Sequence, residues 1–279
     1  MGDHIREQVR RLRLRTVDAF ADRPFSGNPA AVLVLDEMPP DGWMRAIAGE
    51  LNLSETAFVV SEELPDADFR LRWFTPAVEV ELCGHATLAA AHCLLDDGFA
   101  PPIRFATRSG VLTIARAADA SLAMDFPARP AVPIAEPPGL VTALGAFPEW
   151  VGRGGTDDLL VLLADEATLR ELTPDIGALA EVPARGVIVT AAAEPGADHD
   201  FVSRFFAPNV GVPEDPVTGS THTVLAPFWA ERLGHPRLVG LQASARSGLV
   251  GVELRGDRVL LSGRAVTILD GTLTRSAGW

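Results

Sequence analysis

The feature of this sequence that most constrains its fold is an internal repeat. Residues 74–98 read FTPAVEVELCGHATLAAAHCLLDDG, and residues 206–234 read FAPNVGVPEDPVTGSTHTVLAPFWAERLG. Each copy starts with Phe-x-Pro, passes through an acidic loop to a glycine, and continues into an apolar stretch that ends at a second glycine. A third match follows in the same order, because Arg-Ser-Gly recurs at 108–110 and 246–248. The matched positions lie 132 to 138 residues apart, which indicates two related halves.

Most of the remaining sequence predicts β-strands. Short apolar runs bounded by turn residues are typical of strands, and examples are RLRLRTVDAF, NPAAVLVLD and RGVIVTA. The apolar stretches that follow Gly84 and Gly219 instead predict buried helices, and Pro227 predicts a kink or a late start in the second one. The proline-rich segment 127–139 predicts the crossing between the halves. We therefore expect an α+β protein of two strand-rich domains, each built around an apolar helix.

Composition limits the classes of partner. The chain of 279 residues is long enough for two domains, and its 47% hydrophobic content allows each a core. Its 37 acidic residues outnumber 24 basic ones and give a net charge of −13. This balance argues against a nucleic-acid partner, because nucleic-acid-binding proteins carry basic patches. We interpret the one basic cluster, at 6–15, as a solvated strand or tail.

Absent motifs narrow the chemistry further. The sequence contains no CxxC, HExxH, GxGxxG or GxxxxGK[ST] pattern. It also has no apolar run long enough for a membrane span and no apolar signal core at its start. Cys83 and Cys93 would lie about 15 Å apart along one helix, too far for a disulfide. We expect a reduced, cytoplasmic protein without a metal, a cofactor or a membrane partner.

The two predicted helix starts suggest a binding site for an anion. A helix N-terminus presents unsatisfied N–H groups and a partial positive charge. Gly84 and Gly219 would let the backbone approach a ligand closely. Two such helices facing each other across a cleft between domains would hold a small carboxylate.

Glu55 and His85 are candidates for acid–base chemistry. Glu55 starts an apolar strand in LNLSETAFVV, and partial desolvation there would raise the pKa of its carboxyl toward the general acid–base range. A structural role, with Ser54 capping a turn, is the alternative. His85 stands at a predicted helix start, whose positive end would keep the imidazole neutral and suited to proton relay. The alternative is a histidine satisfied within the core.

Four further residues are candidates for the same cleft. Cys83 is either a nucleophile or base whose thiolate the helix start favours, or a small buried residue. Asp215 either opens a turn or faces Glu55 across the cleft as a second carboxylate. Asp18 and Asn28 flank a turn rich in glycine and proline, and the amide of Asn28 is either structural or near a bound carboxylate.

Several motifs together resemble one family. They are VDAFADRPFSGNPAAVLVLD, LNLSETAFVV, LRWFTPAVEVELCGHATLAAAH, RFFAPNVGVPEDPVTGSTH and QASARSG. In this order and over about residues 14–270, they resemble the phenazine biosynthesis PhzF-like family. The resemblance is specific for the family and weak for the substrate.

The resemblance implies a diaminopimelate epimerase-like fold. This fold has two pseudo-symmetric domains, each a curved, mostly antiparallel sheet around a central helix, with the active site in the cleft between them. We expect an N-terminal domain at 1–128 with a C-terminal strand at about 268–279, and a C-terminal domain at 129–267.

The resemblance also implies a cofactor-independent isomerase that acts on a small carboxylate-bearing substrate, and a homodimer. Glu55 resembles the family's proton-shuttling carboxylate, and His85 and Asp215 resemble its active-site partners. The implied contacts to the substrate come from Gly84, Gly219 and Ser220, and we count Asp18, Asn28 and Cys83 as further substrate-binding candidates.

Two departures from related sequences leave alternatives open. Related epimerases and proline racemases use one cysteine per domain, whereas the second half of this chain has none. An epimerase or racemase that depends on Cys83 and one opposing carboxylate is therefore the second hypothesis, and a non-catalytic member that binds carboxylates or proteins is the third. Ser247 replaces a glycine common in the family, which we expect to alter the pocket.

Overall fold

The repeated sequence folds into a repeated pattern of strands and helices. The computed structural model describes residues 12–62, 64–117, 119–274 and 279. Its first half contains β1 (Arg13–Ala19), β2 (Asn28–Leu35), α1 (Asp41–Leu51), β3 (Glu55–Ser61), β4 (Phe69–Phe74), β5 (Glu79–Val80), α2 (Gly84–Asp96), β6 (Ile103–Thr107), β7 (Gly110–Arg116) and β8 (Leu122–Pro127). Its second half contains β9 (Val132–Pro133), α3 (Leu140–Leu144), β10 (Trp150–Arg153), β11 (Leu159–Leu162), α4 (Glu166–Glu171), α5 (Ile176–Ala180), β12 (Val187–Ala192), β13 (Phe201–Phe206), a 3₁₀ turn (Pro208–Val210), α6 (Gly219–Leu233), β14 (Arg237–Gln242), β15 (Gly248–Arg255) and β16 (Arg258–Gly263), and β17 (Ala265–Thr272) follows.

Strand pairing is the same in both halves. In the first half, β1 pairs antiparallel with β2, β2 parallel with β3, β3 antiparallel with β4, and β4 parallel with β6, before antiparallel pairs lead to β7 and β8. The series from β10 through β11, β12, β13, β14 and β15 to β16 has the same directions in the same order. Antiparallel pairing of β8 with β16 joins the halves. The predicted α+β fold of two related, mostly antiparallel halves is confirmed.

The two apolar sequence stretches form the inner helices α2 and α6. Residues on nearly every side of α2 are buried, because it contacts β1, β2, β3 and β8 and is rich in alanine and leucine. The helix α6 contacts β14, β15 and β16. One hydrophobic cluster contains side chains from both helices and from both halves of the sheet. Burial of these helices therefore fixes the position of their N-termini.

Pro227 does not interrupt α6, which runs from Gly219 to Leu233. Proline lacks the N–H that would bond to the carbonyl four residues earlier. That carbonyl, on Thr223, instead accepts a hydrogen bond of 2.9 Å from the backbone N–H of Arg129. Arg129 belongs to the proline-rich segment predicted as the crossing between the halves. Because Pro227 leaves the carbonyl of Thr223 without a helical donor, this carbonyl is available to bind that segment to the helix.

The last strand returns to the first half of the molecule. β17 pairs antiparallel with β1 and spans Ala265–Thr272, so the expected strand at about 268–279 begins earlier than predicted. Residues 275–278 of that expectation, and residues 6–11 of the basic cluster, lie outside the described residues. The domain boundary at 128 stays a prediction. Within the described residues, no helix has both the length and the apolar character needed to cross a bilayer.

The turn between β1 and β2 is held against the second half. Gly27 has φ of +67° and donates its N–H to the carbonyl of Ser247 at 2.6 Å. The guanidinium of Arg246 donates to the carbonyls of Gly27 and Ser26 and to the carboxylate of Asp18. A Cβ atom on Gly27 would lie 2.2 Å from the carbonyl oxygen of Ala19. The position therefore requires glycine for its backbone angle and for its space.

We expect Gly27→Ala to destabilise the protein. The left-handed backbone and the clash with a backbone oxygen should together lower the free energy of unfolding by about 2–4 kcal/mol. Gly42→Ala is the matched control, because Gly42 lies in the first turn of α1 with nothing within 4 Å of its added Cβ. There, alanine should raise the free energy of unfolding by about 0.5 kcal/mol. Urea denaturation of both variants measures the difference, and equal effects would refute the role given to Gly27.

Candidate active site

The N-termini of α2 and α6 meet at a cleft between the two halves. A Cβ atom built on Gly84 would lie 3.8 Å from the Cα atom of Gly219, so the two backbones nearly touch. A cavity of about 1030 Å³ opens in front of them and is lined by both halves of the chain. Its lining includes the candidates Glu55, Cys83, Gly84, His85, Asp215, Gly219 and Ser220. The structure therefore brings seven of the nine sequence-predicted site residues to one cleft.

Both helix starts lack the side-chain caps that two of the other helices have. The surface helices α4 and α5 are capped by Asp165 and Asp175, whose carboxylates accept hydrogen bonds from backbone N–H groups. The N-cap residues of α2 and α6 are Cys83 and Thr218, and neither makes a side-chain capping bond. Neither helix has an acidic residue in its first turn. The two partial positive charges therefore face the cleft, where an anion would complement them.

Glu55 and His85 form an ion pair in this cleft. Glu55 is the first residue of β3, and His85 is the second residue of α2, so a strand and a helix start bring them together. Glu55 Oε2 lies 3.1 Å from His85 Nε2, and the two side chains are 18% and 7% exposed. Oε2 nevertheless has no well-aligned hydrogen-bond partner among the described residues, so it keeps capacity to accept a proton or a ligand.

The charge states of this pair differ from the sequence-based expectation. Burial alone would raise the pKa of Glu55, but the positive charge of His85 outweighs it and lowers that pKa below its ordinary value. For His85, burial acts to lower the pKa, but the negative charge of Glu55 raises it above 6.5. The expected raised pKa of Glu55 and the expected neutral His85 are therefore both wrong. The reason is that each residue lies against the other's charge, a contact that local sequence does not show.

Cys83 lies beside this pair as a neutral thiol. Its Sγ atom is 3.5 Å from His85 Nδ1, and the residue is 7% exposed. Burial, followed by the negative charge of Glu55, raises the pKa of the thiol to about 11. The expectation that the helix start favours a thiolate is therefore wrong, because desolvation and the nearby carboxylate have the larger effect.

Asp215 faces the cleft from the second half and is held by a hydrogen-bond network. Its carboxylate accepts hydrogen bonds from Asn28 Nδ2 at 2.8 Å and from Thr218 Oγ1 at 2.5 Å. Asn28 is fully buried, also donates to the carbonyl of Val217, and accepts from Ser54 Oγ. The deep position of Asp215 raises the pKa of its carboxyl, although His85 acts in the opposite direction. Asn28 lies behind the cleft lining and positions Asp215.

Asp18 and Ser247 lie away from the cleft. The carboxylate of Asp18 accepts hydrogen bonds from Arg246 and from the backbone N–H of Phe25. Ser247 adopts φ of +54°, and its carbonyl accepts from Gly27. Neither residue belongs to the cavity lining. Asp18 therefore helps to join the two halves. Ser247 does not line the cavity, so the structure gives no support to its expected effect on the pocket.

Sequence reasoning missed two arginines that line the cleft, Arg129 and Arg185. The guanidinium of Arg185 donates to the buried carboxylate of Asp158 at 2.5 Å and lies 3.4 Å from the hydroxyl of Ser220. Arg185 stands two residues before the start of the apolar strand β12, much as Glu55 stands at the start of β3. That position was the only signal in the sequence, because the partner Asp158 is far away along the chain.

Three potential metal ligands also meet here. Donor atoms of Glu55, Cys83 and His85 lie within 4.8 Å of one another, and they are the one such group found among the described residues. None of the known metal-ligand spacings along the chain predicts this group. The structure assembles this group from two distant segments.

Comparison with known proteins identifies the family. A family model described as phenazine biosynthesis-like protein matches residues 17–271. The chain belongs to this family. It is 55% identical to an uncharacterized isomerase of Pseudomonas aeruginosa over 264 residues, which cover 94% of this chain and 98% of that protein. The predictions that the chain is a phenazine biosynthesis-like protein and an isomerase are thereby confirmed, with the substrate left open.

Solved structures of relatives have the same fold. A phenazine biosynthesis protein of the PhzF family from Enterococcus faecalis superposes with a TM-score of 0.89 at 39% identity, covering 95% of this chain and 100% of that one. A hydroxyproline epimerase from Agrobacterium vitis, solved with bound trans-4-hydroxy-L-proline, superposes with a TM-score of 0.60 at 14% identity. The match covers 95% of the present chain and 92% of the epimerase. The latter likeness shows the fold alone, and it confirms the predicted epimerase-like architecture.

We expect Glu55→Gln to lower the pKa of His85. The amide removes the negative charge that raises this pKa, while the burial that lowers it remains. Imidazole chemical shifts followed by NMR against pH measure the change. His222 is the internal control, because its ring bonds to the carbonyl of Thr218 and its burial lowers its pKa to about 4. The titration of His222 should stay unchanged.

The same variant should lose stability in a defined pH range. The lowered pKa of Glu55 stabilises the fold above pH 4.5, and the raised pKa of His85 stabilises it fully below pH 6.5. Between these values the wild type should exceed Glu55→Gln by about 1–3 kcal/mol in unfolding free energy. The difference should shrink as pH falls and Glu55 is protonated, and as pH rises through the folded pKa of His85. A difference that is independent of pH would contradict the ion pair.

Proposed function

We propose that this protein is a cofactor-independent isomerase in which Glu55 moves a proton on a small carboxylate-bearing substrate. The observation that supports it is the contact of 3.1 Å between Glu55 Oε2 and His85 Nε2, beside two helix starts that lack caps. One cleft thus contains a carboxylate base (Glu55), an acid (His85) and an anion-binding site at the two helix starts.

The substrate carboxylate would bind at the two helix starts. Backbone N–H groups near Gly84 and Gly219 and the hydroxyl of Ser220 supply donors, and the helix ends supply positive charge. Arg129 and Arg185 add positive charge elsewhere on the cavity wall. Binding at this position would leave the carbon next to the carboxylate within reach of the residues at the start of β3.

Glu55 would take the proton from that carbon. Its lowered pKa keeps it ionised and ready to accept a proton, while the raised pKa of His85 keeps the ring positively charged. The negative charge that develops on the substrate would be stabilised by the helix ends and by the His85 imidazolium. Glu55 then returns the proton to another carbon on the same face, so that the substrate is isomerised and the enzyme is unchanged.

Asp215 would act as the second acid across the cleft. Burial raises the pKa of its carboxyl, which makes Asp215 easier to protonate and suits it to pass a proton to the substrate. Asn28 and Thr218 hold this carboxyl in place. The absence of a cofactor, the substrate class and the homodimer implied by the family resemblance remain predictions.

We expect Glu55→Gln to abolish proton exchange while preserving the fold. Loss of the base should reduce the rate by about 10²–10⁴-fold. Deuterium incorporation from D₂O into a panel of cyclic and amino carboxylic acids identifies a substrate and then measures the rate. Glu81→Gln is the matched control, because Glu81 is exposed near the cleft but outside its lining. Full activity of the Glu55 variant would remove Glu55 from the mechanism.

An epimerase that depends on Cys83 is the second candidate, since its thiol contacts His85 at 3.5 Å in the same cleft. The raised pKa of Cys83, to about 11, disfavours this role, because a base must be deprotonated. We expect Cys83→Ala to keep exchange within about tenfold of the wild type, since general-base losses are larger than this. A loss equal to that of Glu55→Gln would favour the thiol. Tight carboxylate binding by the wild type without any exchange would instead favour a non-catalytic binding protein.

A further inference from the structure

We propose that Glu55, Cys83 and His85 together form a binding site for Zn²⁺, and that the bound ion blocks the proton shuttle. The site goes beyond the isomerase function, because the same three groups that would move protons in the free enzyme become ligands in the zinc-bound protein. Metal binding does not depend on the proposed reaction, and only the inhibition does.

The spacing of the donor atoms fits a tetrahedral ion. Zinc lies about 2.3 Å from sulfur and about 2.0–2.2 Å from nitrogen or oxygen, which places neighbouring ligand atoms about 3.4–3.6 Å apart. Here His85 Nε2 lies 3.1 Å from Glu55 Oε2 and 4.0 Å from Cys83 Sγ, and the group spans no more than 4.8 Å. Changes of roughly 1 Å in these separations would let the three atoms share one ion.

The chemistry of the donors selects for zinc. Sulfur, imidazole nitrogen and carboxylate oxygen together favour Zn²⁺, whereas Mg²⁺ and Ca²⁺ prefer oxygen ligands alone. Glu55 Oε2 has no well-aligned hydrogen-bond partner among the residues that the structure describes. This oxygen can therefore bind an ion without giving up such a bond.

The site is closed on the protein side and open toward the cleft. Cys83 is 7% exposed and His85 is 6% exposed, yet all three ligands line the cavity of about 1030 Å³. An ion can therefore enter through the cleft, and water or a substrate carboxylate can supply the fourth ligand, as in zinc sites with three protein ligands.

Proton balance is simple for this reaction. The thiol of Cys83 and the coordinating nitrogen of His85 each release a proton to the solvent as the ion enters. The two released protons carry away two positive charges, and Zn²⁺ brings two. The net charge of the site is therefore the same before and after the ion binds.

The experiment uses the full chain without a histidine tag, with a phosphine reductant in place of thiols. Zinc titration against a chromophoric chelator measures affinity, and Co²⁺ substituted for zinc reports sulfur ligation through its thiolate charge-transfer band. The wild type should bind with this band present. Cys83→Ala should abolish the band and lower zinc affinity by roughly 100-fold or more, because each ligand carries a large share of the binding free energy.

Cys93→Ala is the matched control, because Cys93 is the other cysteine of the chain and is buried within the same helix. It should keep the band and the affinity. Glu55→Gln, which keeps the shape of its side chain, should weaken zinc binding and retain sulfur ligation, so that the proposal stays testable if Cys83→Ala folds poorly. Absence of a cobalt band in the wild type, or equal zinc affinity in the wild type, Cys83→Ala and Glu55→Gln, would overturn the proposal.

These binding measurements need no substrate, so they fail or succeed independently of the isomerase proposal. Once a substrate is identified, deuterium exchange by the wild type should fall in proportion to zinc occupancy and recover when a chelator is added. Exchange that continues at full zinc occupancy would overturn the inhibitory role, while loss of exchange in zinc-free protein would count against the isomerase proposal alone.

Discussion

The close contact between the N-termini of α2 and α6 is the constraint on which the rest of the site depends. Two partial positive charges repel each other when the helix starts approach so closely that a Cβ atom built on Gly84 would lie 3.8 Å from the Cα atom of Gly219. Negative or hydrogen-bonding groups around them compensate, and the nearest acidic candidates are Glu55 and Asp215. The two helix starts would destabilise each other by electrostatic repulsion if no anion lay near them. For the same reason they form a binding site for an anionic substrate.

The repeated sheet holds this contact in place. Because the two halves have the same strand order, they present their inner helices in equivalent ways, and the pairing of β8 with β16 fixes the halves relative to each other. Hydrogen bonds between the halves reinforce this arrangement. Asn28 donates a hydrogen bond to Asp215 in the second half, and Arg246 of the second half donates to the turn that contains Gly27. The segment that follows β8 is held to α6, because the N–H of Arg129 donates to the carbonyl that Pro227 leaves without a helical partner.

Local sequence predicted the positions of the site residues better than their charge states. Glu55 and His85 were each assigned a pKa from their own surroundings, a strand start for one and a helix start for the other. The structure places them 3.1 Å apart, and their mutual attraction reverses both expected shifts. For Asp18 the position itself differs from the prediction. Its neighbours in sequence suggested a place in the cleft, but its carboxylate accepts a hydrogen bond from Arg246 instead. The proposed zinc site could not be predicted from the sequence for a similar reason. Glu55 is too far along the chain from Cys83 and His85 for the three to form a recognisable metal-binding motif.

The sequence by itself determined the repeat, the two buried apolar helices with glycines at their starts, and the family to which the chain belongs. These features depend on residue order and on periodic burial, which a chain carries whatever its final shape. Only the tertiary structure decided which acid meets which base, which thiol stays protonated, and which aspartate faces the cleft. Such properties depend on distances of a few ångströms between residues far apart in the chain, and electrostatic energies change steeply over those distances where water is excluded.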